Sequence, residues 1–407
     1  MFMNSSSTRK KNKERELRAV SLFSGGGGMD IGVRQAGFNV LCQVEIDPHC
    51  CETLRQAAIR EKQQTIVVEN DVRKVDENEL LERMGLVAGE LDLLFGGPPC
   101  QAFSLIGKRA SLDDERGMLL FEIVRFAKAF RPRAVMIEQV KGLLSAPDAN
   151  GVKGGAFRDL LTQLESLDYV PKWKVALAAD YGVPQLRERV IIVATKKPNG
   201  FQFPAPTHSD NKTSSGSLFA LPQYRTVGEA LEGLEKPIVG RDIPSKNNHV
   251  DITPDGDRRR IAGVPEGSHL AKELHLPTSQ RQNLSKKDTT KFRRLSRKEP
   301  SLTLRCGEIF FHPTEDRYLT PREYMRIHGY PDDYILMGPV RGRSGSVKNL
   351  DQHRQIANSV PPPLARSIAR EIRKVIECQK SSRYSDTQSQ IKPKKQKKVG
   401  GTRTVRS

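Results

Sequence analysis

The sequence has little cysteine. Its six cysteines in 407 residues include no Cys-x-x-Cys pair, and its eight histidines form no cluster with metal-ligand spacing. A disulfide scaffold and a zinc module are therefore excluded, and we expect a reduced chain without a metal. In such a chain a single cysteine can serve as a nucleophile.

Long apolar runs are also missing. No stretch approaches the roughly 18 consecutive apolar residues of a membrane helix, and no apolar segment follows the polar, basic residues 1–11, as a secretion signal would require. We therefore expect a cytoplasmic protein with no membrane partner. Hydrophobic residues make up 37% of the chain, which is enough to bury cores, and the length predicts two or three domains.

Acidic residues are outnumbered. The chain holds 67 basic and 48 acidic residues, a net charge of +19, of which residues 1–18 contribute +4 and residues 379–407 contribute +8. This excess favours a polyanionic partner, with nucleic acid first and a membrane surface second. For the two tails, simple solvation of the charge is an equal alternative.

Short apolar segments alternate with helical patterns in the first half of the chain. Near-continuous apolar strands separated by helices are typical of an α/β fold with a mostly parallel sheet, in which ligands bind beyond the carboxyl ends of the strands. The predicted helices include residues 29–36, 117–129 and 156–167, and the predicted strands are residues 19–23, 38–45, 66–68, 91–95, 134–137 and 189–194.

The composition changes near residue 195. Residues 195–318 are rich in Pro, Gly, Ser, Asn and charge without clear alternation, which predicts a second, smaller and irregular domain. Helices resume at residues 321–327 and 363–378. We therefore divide the chain into a flexible basic leader (1–17), an α/β part (18–194), the irregular domain (195–318), a return to the α/β part (319–378) and a disordered basic tail (379–407).

A glycine-rich turn follows the first predicted strand. Phe23, Ser24, Gly25 and Gly27 lie between this strand and a helix, where glycines let backbone N–H groups approach a ligand. Glu45 ends the next strand, about 20 residues after the glycine-rich turn, which is the sequence separation at which an acid binds ribose hydroxyls in such folds. The glycines read G-x-G-G, a poor match to the dinucleotide pattern, so a cofactor with ribose and adenine but no phosphates fits better. A plain tight turn is the alternative.

Chemically reactive side chains follow two further strands and occupy one extended segment. Cys100 comes directly after Gly-Gly-Pro-Pro, a stiff turn that fixes the thiol in space, and Glu138 closes the strand at 134–137. Arg187 and Arg189 lie on one face of an extended segment. The alternatives are a structural cysteine, a capping glutamate and a surface charge pair.

Together these motifs resemble the DNA (cytosine-5)-methyltransferase family of the bacterial restriction–modification type, over residues 18–375. The chain departs from the family pattern at Gln139, where Asn is usual, at Ala357, where Gly is usual, and at Tyr324, where a small residue is common. The matching pieces, in family order and spacing, are residues 23–28, Glu45, Asp71, residues 97–100, Glu138, residues 185–189, residues 321–323 and residues 358–362.

The resemblance implies a mechanism. Cys100 is expected to add to C6 of a flipped cytosine, with Glu138 hydrogen-bonding the base at N3, Arg189 holding its carbonyl and Arg187 supporting the pocket. S-adenosylmethionine is the expected methyl donor, without a metal; Glu45 takes its ribose and Asp71 its adenine amino group. The other cofactor contacts it implies are Phe23, Ser24, Gly25, Gly27, Ile46, Val72, Pro98, Asn358 and Ser359.

The resemblance also implies partners. Residues 195–318 become the target-recognition domain, residues 18–194 and 319–378 the catalytic domain, and double-stranded DNA the substrate. A restriction endonuclease of the same specificity, without stable complex formation, is the expected second partner of a monomeric enzyme. Basic residues in the segment 281–305 are expected to contact the DNA, and the expected DNA-binding residues are Arg293, Arg294, Arg297, Thr303 and Arg305.

Three other functions remain open from the sequence. A cytosine-5 tRNA methyltransferase uses the same scaffold, although residues 195–318 are long enough to contact a duplex. A non-catalytic DNA-binding module is disfavoured by the intact Cys100, Glu138 and Arg189. A nicotinamide dehydrogenase is disfavoured by the G-x-G-G pattern and by Pro-Pro-Cys. The recognition sequence cannot be read from the chain.

Overall fold

A computed structural model gives the architecture of the protein. Cys100, the leader up to residue 15, the basic residues 281–291 and the tail from 390 lie outside the described residues. The side chains of residues 115–118 and 379–389 are also outside the description. The structure describes residues 16–99, 115–148, 150–196, 200–210, 221–240, 247–270, 277, 279, 292–342 and 349–389.

A seven-stranded sheet forms the centre of the fold, with strand order β3-β2-β1-β4-β5-β8-β6. Strands β1 to β5 are parallel, whereas β8 runs antiparallel to both β5 and β6. The prediction of a mostly parallel α/β sheet is confirmed. The sheet strands are β1 (Leu17–Leu22), β2 (Phe38–Glu45), β3 (Ile66–Glu69), β4 (Leu93–Gly96), β5 (Ala134–Gln139), β6 (Tyr169–Leu177) and β8 (Glu188–Lys196), with the short β7 (Gln185–Leu186) before β8.

The helices begin and end where the sequence carries capping signals. At α8, Thr320 and Glu323 form a capping box, Pro321 is the first helical residue, and Gly329 ends the helix with φ +84°. The helices are α1 (Gly28–Gln35), α2 (Pro48–Arg60), α3 (Glu77–Arg83), α4 (Glu115–Phe130), α5 (Gly155–Ser166), α6 (Val227–Leu231), α7 (Asp255–Ile261), α8 (Pro321–His328), α9 (Gln352–Asn358) and α10 (Pro362–Ser389).

Two elements differ from the sequence prediction. Helix α10 continues to Ser389, eleven residues beyond its predicted end at 378, so the boundary placed there between helix and disordered tail is wrong. Strand β6 was not predicted at all. Its Pro171, Lys172 and Lys174 break the apolar pattern because β6 is the edge strand of the sheet and is only partly buried.

Helices cover both faces of the sheet. Leu94, Val135 and Ile137 of the central strands pack against α4 and α5 on one face. The opposite strand side chains pack against α1 and α10. None of the helices in the described ranges is long and apolar enough to cross a membrane.

Helices α1 and α10 approach closely at Gly32. A Cβ atom at this position would overlap the Pro362 carbonyl oxygen and lie 2.6 Å from the Ala365 Cβ atom. The glycine is therefore required by the packing of the two helices. This contact joins a helix at the beginning of the α/β part to one that follows the irregular region.

The region between β8 and α8 contains short elements, and part of its apolar core is shared with helices of the α/β part. Val227, Leu295 and Phe310 pack with Tyr324 of α8 and Ile356 of α9. A strand of this region pairs with β7 in parallel, with Ser301 opposite Gln185. The division into two domains stays a prediction. The short strands are β9 (Ile238–Val239), β10 (Val250–Asp251) and β11 (Ser301–Leu302).

Candidate active site

A narrow pocket lies at the carboxyl edge of the parallel strands. It brings together the glycine-rich turn after β1, the end of β4, the end of β5 and the turn between α9 and α10. Chain segments more than 300 residues apart therefore meet at one place. The residues around the pocket are Ser21, Leu22, Phe23, Ser24, Gly25, Met29, Asp30, Gly96, Gly97, Glu138, Asn358, Ser359 and Val360.

The glycine-rich turn is held open by its backbone conformation. Phe23 and Gly25 have φ values of 55° and +54°, and Gly27 has φ +78° directly before α1 begins. A side chain is strained in this left-handed region. At Gly25 a Cβ atom would meet nothing within 4 Å, so the positive φ and not crowding is what requires glycine there.

Glu45 ties this turn to β2. Its carboxylate accepts hydrogen bonds from the N–H groups of Gly25 (2.7 Å), Ile46 (2.8 Å) and Asp47 (2.9 Å). Burial raises the pKa of Glu45, and the backbone N–H groups counteract this. The neighbouring Ile46 leaves 46% of its surface exposed, so an apolar patch lies beside a carboxylate at the sheet edge.

Asp71 and Val72 lie just beyond β3 on the same edge. The Asp71 carboxylate forms an ion pair of 2.6 Å with Arg73, and hydrogen bonds from Arg73 hold the pKa of Asp71 below its usual value. Val72 is buried and begins a 3-10 turn that Asp71 caps. The Asp71 carboxylate therefore already accepts hydrogen bonds from the chain itself.

Glu138 and Arg189 form a largely buried ion pair. The Nε atom of Arg189 lies 2.7 Å from Oε1 of Glu138. The antiparallel direction of β8 explains the contact, because it brings the start of β8 to the carboxyl end of β5. A Cβ atom at Gly97 would lie 3.0 Å from Oε2 of Glu138, so the glycine leaves room for this carboxylate beside the turn that leads to Cys100.

Gln139 also stabilises the turn that leads to Cys100. Its Nε2 donates to the Pro98 carbonyl (2.9 Å), and its Oε1 accepts from the N–H of Val140 (3.0 Å). Both groups of the buried amide are therefore satisfied. This contact could not be predicted from the sequence, because nothing in the residue type shows that the amide reaches a carbonyl in the turn after β4.

Arg187 is buried, and among the described residues its guanidinium donates to backbone carbonyls. It donates to the carbonyls of Ala357 (2.8 Å), Ser359 (3.0 Å) and Leu304 (3.4 Å). Burial, followed by the charge of Arg189, lowers the pKa of Arg187 to about 9, so the side chain stays protonated at neutral pH. It joins β11 to the α9–α10 turn and thereby supports the pocket wall.

Asn358 and Ser359 reach the pocket from the α9–α10 turn. The Cys306 thiol donates to Oδ1 of Asn358 at 2.7 Å, a contact that the sequence analysis missed. The Ser359 hydroxyl donates to the carbonyl of Ile356. One hydrogen bond from Cys306 and one within the turn therefore hold this segment beside the glycine-rich turn.

The predicted DNA-binding residues fall into different environments. Arg305 is exposed, Thr303 donates to the Leu186 carbonyl (2.8 Å), and Arg297 forms an exposed ion pair with Glu266. Arg293 is half-buried and donates to the Gly267 carbonyl.

The prediction for Arg294 needs correction. Only 4% of its surface is exposed, and its guanidinium binds Asp316 (2.6 Å) and the carbonyls of Ile261 and Glu315. A phosphate could reach it only by displacing these partners. Arg294 therefore stabilises the irregular region.

A larger cleft has Leu186 in its wall. Its volume is about 510 Å³. The walls carry both charges and several hydrogen-bonding side chains, as expected of a surface that meets a polar partner. They include Ser209, Asp210, Gln223, Tyr224, Thr226, Arg293, Ser296, Lys298 and Glu299.

Comparison with known proteins decides the family. Residues 17–374 match the profile of the C-5 cytosine-specific DNA methylase family. The chain belongs to this family. The methylase is accordingly a DNA (cytosine-5-)-methyltransferase of the type found in bacterial restriction–modification systems, and a nicotinamide dehydrogenase is excluded.

Individual relatives agree with this assignment. The methylase is 31% identical to the type II methyltransferase M.NgoFVII of Neisseria gonorrhoeae over 91% of this chain and 88% of that one. It is 32% identical to M1.HphI of Haemophilus parahaemolyticus over 88% and 87%.

Solved structures share the fold of the methylase. A DNA modification methyltransferase encoded within an E. coli prophage superposes with a TM-score of 0.64 at 23% identity, over 89% of this chain and 99% of that one. DNMT2 of Spodoptera frugiperda gives a TM-score of 0.54 at 15% identity, over 88% and 99%.

The contact of Gln139 predicts a measurable effect. Gln139→Leu leaves the buried Pro98 carbonyl without its donor, which costs about 1–3 kcal/mol and releases the turn that leads to Cys100. We expect single-turnover methylation to fall at least about tenfold, because misplacing reacting groups slows the chemistry, while duplex affinity stays unchanged. Gln163→Leu, on the exposed face of α5, is the control. Equal rates for the two variants would contradict a role for Gln139.

Proposed function

We propose that the methylase transfers a methyl group from S-adenosylmethionine to C5 of a cytosine flipped out of duplex DNA, through a covalent bond between Cys100 and C6. The observation that carries this proposal is the Glu138–Arg189 ion pair in the same pocket as the Glu45-held glycine turn. Glu138, Gly25 and Gly97 all line this pocket, and Cys100 follows Gly97 by three residues in the sequence, which supports the proposal.

The residues present fit such a cofactor. Glu45 offers carboxylate oxygens at the end of β2, where ribose hydroxyls bind in this class of fold, and the exposed Ile46 offers an apolar face for an adenine ring. Gly25 leaves open space above the turn. When bound, the cofactor supplies a methyl group activated by a sulfonium. No group of three His, Cys, Asp or Glu side chains in the described part of the chain could hold a metal.

The chain's own residues then account for the activation of the base. The Cys100 thiolate forms a bond to C6, and the displaced electron pair moves through the ring to make C5 nucleophilic. Glu138 shares a proton with N3 and so stabilises the charge that develops. Once C5 is methylated, its proton leaves to water, the S–C6 bond breaks and the thiolate is restored.

Arg189 positions Glu138 for this step. Its Nε binds Oε1 of Glu138, which leaves Oε2 for the base. Its Nη1 donates to the Glu188 carbonyl (2.8 Å), and the other N–H groups of the guanidinium are donors for the cytosine carbonyl. Arg187 does not reach the base in this arrangement, because its guanidinium binds three backbone carbonyls. We propose that it supports the site from behind.

The cytosine must leave the helix to reach this pocket, at a cost of a few kcal/mol. We propose that the irregular region is the target-recognition domain and that the cleft beside Leu186 faces the duplex. Of the predicted DNA contacts, Arg305, Arg293 and Thr303 are retained, together with Lys298 in the cleft wall. Arg297 can contact DNA only when its ion pair with Glu266 breaks.

A salt titration tests the phosphate contacts. Neutralising the exposed Arg305 and Lys298 together should lower the slope of log K against log salt by about two, because each phosphate contact contributes roughly 0.9. Lys374→Gln on α10, where Lys374 pairs with Glu371, should leave the slope unchanged. An unaltered slope in the double variant would show that these side chains are only solvated.

The relatives suggest the biological role. Several are type II methyltransferases, so we propose that the methylase protects DNA from a restriction endonuclease of the same specificity, as a cytoplasmic monomer without stable contact to that endonuclease. Bisulfite sequencing of DNA from cells that express the chain would give the methylated site. Methyl transfer to tRNA but not to duplex DNA would contradict the proposal.

A further inference from the structure

A chain of hydrogen bonds crosses the interior between the irregular region and the pocket. The N–H of Leu304, just after β11, donates to Oε1 of Gln185 (3.2 Å). The Nε2 of Gln185 lies 3.0 Å from Nδ1 of His328, and Nε2 of His328 lies 3.0 Å from the Ser359 carbonyl. His328, at the end of α8, is fully buried.

These contacts fix the direction of every bond. An N–H group needs an acceptor, so Oε1 of Gln185 faces Leu304 and its NH₂ group faces the histidine ring. Nδ1 of His328 must then accept, and the proton must lie on Nε2, which donates to the Ser359 carbonyl. Burial, followed by the charge of Arg187, lowers the pKa of His328, so the ring stays neutral and keeps this tautomer.

Both ends of this chain belong to functional surfaces. Ser359 lines the pocket, and Leu304 lies between Thr303 and Arg305, which are proposed to contact DNA. Arg187 connects the same two ends a second time, because it donates to the carbonyls of both Leu304 and Ser359. Gln185 and Arg187 precede Arg189 by four and two residues, so the same segment carries the partner of Glu138.

We propose that His328 is a positioning residue for methyl transfer. It fixes the position of Ser359, in the wall of the cofactor pocket, relative to the Gln185–Arg189 segment and the turn at Leu304. The inference rests on the proposed function of this pocket. His328 touches neither the base nor the cofactor; it acts through Gln185 and the Ser359 carbonyl. An apolar side chain at this position fills the space but leaves the Gln185 NH₂ group buried without an acceptor.

The variants separate the hydrogen bonds from the packing. His328→Leu removes both hydrogen bonds. His328→Gln keeps one acceptor and one donor on a side chain of similar length, and His328→Asn keeps them on a shorter side chain. His353→Leu is the matched control. His353 is equally buried, its ring nitrogens lie 2.9 Å from the carbonyls of Val340 and Leu319, and it does not line the pocket.

The experiment uses the full chain and measures single-turnover methylation of duplex DNA, S-adenosylmethionine affinity by calorimetry, duplex affinity and melting temperature. We expect His328→Leu to slow methylation about 100-fold and to weaken cofactor affinity about tenfold, with duplex affinity within about twofold. His328→Gln should stay within about fivefold of the parent, and His328→Asn should fall between. His353→Leu should lower the melting temperature but not the rate of the folded protein.

Two results would overturn the proposal: equal impairment in His328→Gln and His328→Leu, or a rate loss in His353→Leu as large as that in His328→Leu. If His328→Leu does not fold, the comparison of His328→Gln with His328→Asn decides, because only the length of the hydrogen-bonding side chain differs. Failure of the proposed function looks different, since the parent protein itself would then show no heat of S-adenosylmethionine binding.

Discussion

We expect the replacement of Cys100 by serine to abolish methyl transfer and to leave duplex binding within a few-fold of the parent. A hydroxyl is far less acidic than a thiol, so it supplies almost no anion to attack C6. Loss of a covalent nucleophile costs on the order of 10⁴–10⁶-fold in rate. The proposed phosphate contacts lie elsewhere in the chain, so we expect DNA affinity to stay unchanged.

Two measurements check this expectation. Transfer of a radiolabelled methyl group gives the rate, and a duplex with 5-fluorocytosine at the target tests the covalent bond, because C5 then has no proton to lose and the adduct persists. The parent protein should form a denaturant-stable complex and Cys100→Ser should not. Cys378→Ser, at an exposed position of α10, should behave like the parent. Appreciable turnover by Cys100→Ser would remove the cysteine from its role.

Glu138→Gln should give the second largest loss, about 10²–10⁴-fold in single-turnover rate, which is the usual contribution of a positioned acid or base. The amide cannot share a proton with N3, and it also removes the charge that holds Arg189 at 2.7 Å. We expect the melting temperature to change as well, because Arg189 would be left in a nearly buried position without its counter-ion.

Glu188→Gln is the matched control for this variant. Glu188 is the neighbour of Arg189 in sequence and forms its own ion pair with Lys141, but both partners are about half exposed. Exposed pairs contribute little, so methylation should remain within about twofold of the parent. Similar losses in the two variants would mean that any charge change on β8 disturbs the sheet, and Glu138 would lose its assigned role.

The sheet could be predicted because its central strands are apolar on both faces. Strand β2 occupies the predicted residues 38–45, and β1, β3, β4 and β5 lie within a few residues of their predicted positions. Strand direction could not be predicted for β8, because an apolar run such as residues 189–194 reads the same in both directions. Yet this direction is what places Arg189 beside Glu138.

Part of the candidate site could be predicted from the sequence for a similar reason. Glu45 and Glu138 could be placed at the carboxyl edge because they end predicted parallel strands, and their roles stay predictions. The contacts of Gln139 and His328 could not be predicted, because each side chain bonds to the backbone carbonyl of a distant segment. Every residue has such a carbonyl, so the sequence does not show which one is the partner. Arg294 was assigned to DNA from charge alone, which cannot distinguish a buried arginine from an exposed one.

The contact between α1 and α10 at Gly32 has a consequence for biosynthesis. Leu364 and Ile368 belong to the same apolar core as Ala19 and Val33, although about 340 residues separate them. At about 5–20 residues per second, a ribosome needs roughly 20–70 s to deliver α10 after β1 has emerged. During that interval the face of the sheet that α10 covers is open to chaperones and to other nascent chains. Methylation capacity should therefore appear only once α10 has left the ribosome.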